Sequence, residues 1–224
     1  MVQVKICGLT RRQDVVAAES AGAAFGGVIL APGSPRTVAP SHVAEIFRGS
    51  SLDRCGVFVD ESRDRILELV SELALSVVQL HGDEPPEWAA ELRASSGVTV
   101  WKAIRPRSGE EFVAAAQSYG GAVDGLLLDA WSAAGRGGTG ARFPWSAIAP
   151  HRMALADLAL IAAGGLTPRN VAEAVARLTP EVVDVSSGVE RAPGIKDERL
   201  IRSFITTASR EPAKRSAPGR ARTS

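Results

Sequence analysis

The 224-residue sequence predicts a single α/β domain closed into a (β/α)8 barrel. Three observations carry that prediction. Eight short apolar runs recur along the chain, rich in Val, Ile and Leu and apolar at successive positions. Strands buried on both faces of a parallel sheet read this way. A helical pattern follows each run, so strand-then-helix repeats about eight times within one domain's length, which fits a closed barrel better than an open doubly wound sheet. The hydrophobic fraction, 45%, is enough for a large buried core.

The runs are VKICGL (4–9), FGGVIL (25–30), CGVFV (55–59), SVVQLH (76–81), VTVWKAI (98–104), DGLLLD (124–129), LALIAAG (158–164) and VVDVSSG (182–188). The first helix, 12–22, ends on Gly22, a C-cap residue. Helix 41–49 takes Ser41 as N-cap, and 62–73 spaces Ile66, Leu67, Val70 and Leu73 on one face. Helix 85–95 has Pro85 and Pro86 near its first turn, and 110–120 ends on Gly120. After the sixth strand the signal weakens to a Gly-rich loop and a short helical stretch, PWSAIAP (144–150). Helix 167–178 opens with Thr167 as N-cap and Pro168 at the first helical position, and 197–208 opens on Asp197. The barrel is expected over 1–208. Residues 209–224 have no apolar periodicity and are expected to be a disordered basic tail.

Charge narrows the function classes. The formal net charge is +1, but residues 210–224 hold five basic side chains against Glu211. The remainder carries 21 basic against 24 acidic side chains, so it has no broad basic face for a nucleic acid. No stretch approaches the ~20 apolar residues of a membrane span. The N-terminus runs straight into a strand pattern, with no secretory leader expected. Cys7 and Cys55 lie on separate apolar runs and make no disulfide framework, so a cytoplasmic location is expected.

Barrel chemistry sits at the C-terminal ends of the strands. There the first strand offers Cys7, the second leads through APGSPR to Arg36, the fourth ends in His81, and the sixth in Asp129. The seventh ends in Gly164 and Gly165, and the eighth in Ser187 and Gly188. Glycines on the last two strand ends let backbone N–H groups approach phosphate oxygens, and Ser187 adds a hydroxyl. Together they predict a phosphate site. Cys7 reads equally as a small buried hydrophobe or as a carbon-acid base; a base would need a nearby cation or dipole. Asp129 reads as a turn cap or as a general acid whose pKa is raised by apolar walls. Arg36 is a solvated loop arginine or a carboxylate fork. His81 is either a satisfied core histidine or a mouth residue.

Several segments together resemble the phosphoribosylanthranilate isomerase family over about residues 2–206. They are VKICGLT (4–10), SPR (34–36), GVFV (56–59), VVQLHGDEP (77–85), LLLD (126–129), GGTG with Phe143 and Trp145, AAGGLTPRNV (162–171) and VDVSSGVERAPGIKD (183–197). The resemblance implies a TIM-barrel fold and an Amadori rearrangement of N-(5-phosphoribosyl)anthranilate in tryptophan biosynthesis, with no metal or organic cofactor. It implies that Asp129 protonates the ring oxygen, Cys7 removes the C2 proton, Arg36 holds the anthranilate carboxylate, and Gly164, Gly165, Ser187 and Gly188 hold the phosphate. The partner implied is a small phosphorylated substrate, with no nucleic acid or membrane, in a monomer or homodimer. The chain departs from the family at the Phe-Gly-Gly of residues 25–27, at Gly33 in the SPR loop, and at Pro144.

Alternation along the first strand places Lys5 on the same side as Cys7, one layer down. The eighth strand becomes its neighbour on closure, and Asp184 should point inward there. A Lys5–Asp184 ion pair beneath the site is therefore expected. Two related barrels fit less well. The histidine-pathway isomerase would use an Asp where this chain has Cys7, and indole-glycerol-phosphate synthase needs a catalytic Lys in an N-terminal extension region. A catalytically silent phosphate-binding barrel acting as a regulator or binding partner is the alternative of a different class; finding Cys7 and Asp129 together argues against it.

Overall fold

The computed structural model describes residues 1–129 and 145–209. Its eight parallel strands are β1 (Gln3–Ile6), β2 (Phe25–Ile29), β3 (Asp53–Phe58), β4 (Val77–Leu80), β5 (Thr99–Ile104), β6 (Gly125–Leu128), β7 (Ala159–Ala162) and β8 (Val182–Val185). They pair in order and close β8 onto β1. Across the closure Val4 stands opposite Val183, Lys5 opposite Asp184 and Ile6 opposite Val185. The outer ring is α1 (Arg12–Ala21), α2 (Pro40–Ile46), α3 (Arg63–Leu73), α4 (Pro86–Ser96), α5 (Gly109–Tyr119), α6 (Trp145–Ile148), α7 (Val171–Leu178) and α8 (Glu198–Ala208).

Side-chain alternation divides the core. Val4, Ile6, Val183 and Val185 face outward and join Phe47, Phe58, Phe112 and Phe204 beneath the helices. Burying a side chain of this size contributes roughly 2–3 kcal/mol. Phe25, Cys55, Val77, Trp101, Ile161 and Val182 fill the barrel interior, where the Phe25 and Trp101 rings meet edge to face at 5.2 Å. The lower barrel is thus a packed plug, and the open end lies above it.

Local signals behave mostly as the sequence suggests. Gly22, at φ 96°, turns the chain out of α1, and the Asp197 carboxylate caps α8 by accepting from the Arg199 and Leu200 N–H groups. Two starts differ. α2 begins at Pro40 with Ala39 as its cap, because Pro40 supplies the fixed φ of a first turn. α7 begins at Val171, not 167. Asn170 folds back instead, accepting from the Thr167 N–H at 2.7 Å and donating to the Gly165 carbonyl at 3.0 Å, so residues 167–170 form a turn that anchors the loop after β7. α6 is one short turn that continues as a 3-10 helix over Ala149–Leu155.

One element had no counterpart in the sequence reading. Between β8 and α8 lie a 3-10 turn (Ser187–Val189) and a small antiparallel hairpin, β9 (Glu190–Ala192) with β10 (Ile195–Lys196). The GRGGTG loop, Phe143, Pro144 and residues 210–224 of the expected tail lie outside the described residues; Ser209 caps the end of α8.

Candidate active site

A cavity of about 430 Å³ occupies the C-terminal mouth of the barrel. Its walls include Cys7, Arg36, His81, Asp129, Gly164, Gly165, Ser187 and Gly188, so the mouth residues singled out from the sequence face one space. The strands deliver them in order: β1 ends at Cys7, β4 at His81, β6 at Asp129, β7 at the glycine pair and β8 at Ser186. Residues two apart on a strand share a face, which is why Gln79 and Leu127 line the same cavity one layer below His81 and Asp129.

The end of the cavity beside β7 and β8 is built from backbone. Gly164 and Gly165 both have left-handed φ, 71° and 70°. Gly188 lies so close to the Leu166 carbonyl oxygen that a Cβ would collide with it, which locks the β7 and β8 loops together. Ser187 stands on the 3-10 turn between them.

Asp129 is nearly buried, and its walls are not the apolar ones its sequence context suggested. His81 Nε2 lies 3.2 Å from Asp129 Oδ2, and Arg105 Nε pairs with the same oxygen at 3.6 Å. Gln79 Nε2 stands 2.9 Å from His81 Nδ1. A Gln N–H can only donate, so Nδ1 accepts and Nε2 carries the hydrogen that points at Asp129. The imidazole is therefore a mouth residue with both nitrogens engaged. Arg105, which the sequence reading passed over, sits one residue past the end of β5.

Cys7 is buried, with 6% exposure, yet lines the cavity. Burial pushes its thiol up, and Lys5 pulls it back down. Lys5 is completely enclosed, and its Nζ lies 3.1 Å from Asp184 Oδ1, as strand register requires. Burial would lower the ammonium, but Asp184 and the two neighbouring thiols hold it well above the usual lysine range. Gly27 makes the room: a Cβ there would stand 3.1 Å from Cys7 Sγ and 3.1 Å from Lys5 Nζ. The small residue in the middle of β2 is thus filled by the charged pair's own lysine and by the thiol. Cys55, below, is free like Cys7, and burial pushes it up to about 12.

Arg36 reaches the mouth from the loop after β2. Its guanidinium is gripped by Glu190 on β9, with Nε to Oε1 at 2.9 Å and Nη2 to Oε2 at 2.7 Å. Ser34 Oγ accepts from the Arg36 N–H at 3.1 Å, so the loop is ordered despite Gly33.

A carboxyl, a thiol and a guanidinium around one cavity, with glycine loops on the seventh and eighth strands, form the arrangement that a barrel isomerase acting by acid–base chemistry on a phosphorylated sugar would need. The family model described as N-(5'-phosphoribosyl)anthranilate (PRA) isomerase matches residues 4–207. The chain is 45% identical to N-(5'-phosphoribosyl)anthranilate isomerase of Myxococcus xanthus (strain DK1622), over 92% of this chain and 96% of that one. It superposes on the crystal structure of phosphoribosyl anthranilate isomerase from Thermotoga maritima with TM-score 0.84 at 35% identity, covering 93% of this chain and 98% of that one. A further structure, a phosphoribosyl anthranilate isomerase in complex with reduced 1-(o-carboxyphenylamino)-1-deoxyribulose 5-phosphate, matches at TM-score 0.81 and 35% identity, covering 93% and 98%. The chain belongs to the N-(5'-phosphoribosyl)anthranilate isomerase family.

Proposed function

We propose that this chain isomerises N-(5-phosphoribosyl)anthranilate to 1-(2-carboxyphenylamino)-1-deoxyribulose 5-phosphate, an aldose-to-ketose step in tryptophan biosynthesis. The observation that carries the assignment is that Cys7 and Asp129, on the first and sixth strands, face one cavity with Arg36 and the phosphate loops. A relative's structure in complex with a reduced form of that product supports the substrate class.

The substrate phosphate lies against Gly164, Gly165, Ser187 and Gly188, and its ring carboxylate against Arg36. Asp129, in its acid form, gives a proton to the furanose ring oxygen, and the C1–O bond breaks to leave an iminium. The carboxylate left behind accepts from His81 Nε2 and faces Arg105; stabilising the conjugate base in this way favours donation. The iminium acidifies the C2 hydrogen. Cys7 removes it as thiolate, and the enolamine tautomerises to the ketone, with the C1 carbon gaining a proton and the C2 oxygen losing one. A buried thiolate needs a cation, and Lys5 supplies it from the layer beneath.

Cys7 acts only as a free thiol, and a reducing cytoplasm keeps it so, in an enzyme whose catalytic domain spans 1–208. Among the described residues no helix is long and apolar enough to cross a membrane.

Loss of substrate fluorescence tests the assignment. Cys7→Ser and Asp129→Asn should each lower kcat by about 10²–10⁴-fold with KM near wild type. Wild-type kcat in both variants refutes the residue roles, and an inactive wild type refutes the function.

A further inference from the structure

The grip on Arg36 is more than a surface ion pair. The Glu190 and Lys196 side chains are 5% and 0% exposed, and Lys196 Nζ donates to Glu190 Oε1 at 2.8 Å. The same ammonium donates to the Ser186 carbonyl at 3.1 Å, tying the hairpin to the end of β8. The Gly194 N–H adds a further bond to Glu190 Oε1 at 3.3 Å. The arginine's stem is fixed as well. It lies over Gly8, the residue after Cys7, where a Cβ would come within 2.7 Å of Arg36 Cδ.

Arg36 lines the cavity, whereas Glu190 and Lys196 do not. Glu190 therefore stands behind the guanidinium. A guanidinium has five N–H donors arranged along two edges, each matched to a planar carboxylate. Glu190 occupies the Nε and Nη2 edge. Among the described residues, Nη1 donates to nothing. The group of Arg36, Lys196 and Glu190 holds two cations and one anion, so one further carboxylate would balance it.

We propose that Glu190, seated by Lys196, is a positioning residue that holds one edge of Arg36 so that the other edge is set for the substrate's carboxylate, and that this arrangement makes the enzyme selective for an ortho-carboxylated ring. The proposal rests on the reading that Arg36 holds that carboxylate. Without Glu190 the guanidinium turns about its side-chain bonds and must be ordered anew at each binding event, a cost borne only by ligands that use it.

The test is a binding cycle between ligand and protein. The ligands are reduced 1-(o-carboxyphenylamino)-1-deoxyribulose 5-phosphate and the same molecule without its carboxylate. Titration calorimetry gives Kd for both on wild type, Glu190→Gln, Glu190→Gln/Lys196→Met and Arg36→Met, with folding checked by urea unfolding. The double variant removes the ammonium that Glu190→Gln alone would leave buried and unpaired. Wild type should prefer the carboxylated ligand by about a hundredfold, and both Glu190 variants should lose about tenfold of that preference while binding the other ligand as wild type does. An unchanged preference in both Glu190 variants, with the preference lost in Arg36→Met, overturns the proposal alone. An unchanged preference in Arg36→Met overturns the reading of Arg36 and the proposal with it. Equal weakening of both ligands shows a merely structural Glu190 and also overturns the proposal.

Discussion

Replacing Lys5 with Met removes a cation and keeps its volume, and two effects follow. The first is on stability. Asp184 would be left with only 8% exposure and no ammonium 3.1 Å away. Breaking a buried pair from one side costs about 3–5 kcal/mol. Lys5→Met/Asp184→Asn, which removes both charges, should recover most of that loss in urea unfolding. The second effect is on Cys7. Lys5 is the strongest charge acting on that thiol and favours its ionised form. Asp184 offsets part of that field in the native protein. Burial already pushes the Cys7 thiol up and Lys5 opposes it, so losing Lys5 moves the thiol higher and the acid limb of kcat/KM to higher pH. Iodoacetamide labelling against pH measures the same shift without substrate, because Cys55 is wholly buried and pushed up to about 12. A folded Lys5→Met protein with wild-type labelling and pH–rate profiles would refute the reasoning that Lys5 supports the thiolate.

Other expectations follow from the same geometry. Gly188→Ala drives a methyl group into the Leu166 carbonyl; it should cost about 1–3 kcal/mol in unfolding and weaken inorganic phosphate as an inhibitor. Gly27→Val crowds Cys7 Sγ and Lys5 Nζ together, and should lower both stability and the rate of Cys7 alkylation. Burial pushes the Glu190 carboxyl up, but hydrogen bonds from Arg36 and Lys196 bring it below the usual carboxylate range. A carboxylate depressed in the folded state stabilises above its unfolded value of about 4.3, and that stabilisation is lost as pH falls through the lower folded value. The stability gap between wild type and Glu190→Gln should therefore be constant above about pH 5 and shrink below about pH 4.

Much of this was legible because barrels write their layout into alternation. Lys5 is a lysine between Val4 and Ile6; in a strand with helices outside, such a residue must face inward. Chain closure then names Asp184 as its partner. The mouth residues were legible for a related reason: each stands at, or in the loop just after, the C-terminal end of an apolar run. Glu190 and Lys196 gave no such signal. ERAPGIK has no periodicity, reads as a solvated turn, and becomes buried only because the hairpin folds over the end of β8. Arg105 was hidden by its place beside a proline in a polar stretch. The Gln79–His81–Asp129 chain joins two strands, and one-strand patterns do not report cross-strand hydrogen bonds. Pro168 pointed to a helix start that the Asn170 side chain overrides by bonding back to Gly165 and Thr167.

The Lys5–Asp184 pair also bears on how the molecule is made. Its members are 179 positions apart, so during synthesis the first strand carries an ammonium with no partner until nearly the whole chain has left the ribosome. Any shorter chain that closes around Lys5 would bury an uncompensated charge, and the cost of that is several kcal/mol. The pair thus makes a complete chain a condition for a settled first strand. Fragments ending before β8 should stay open and protease-sensitive, and should become ordered when a peptide carrying residues 182–208 is added.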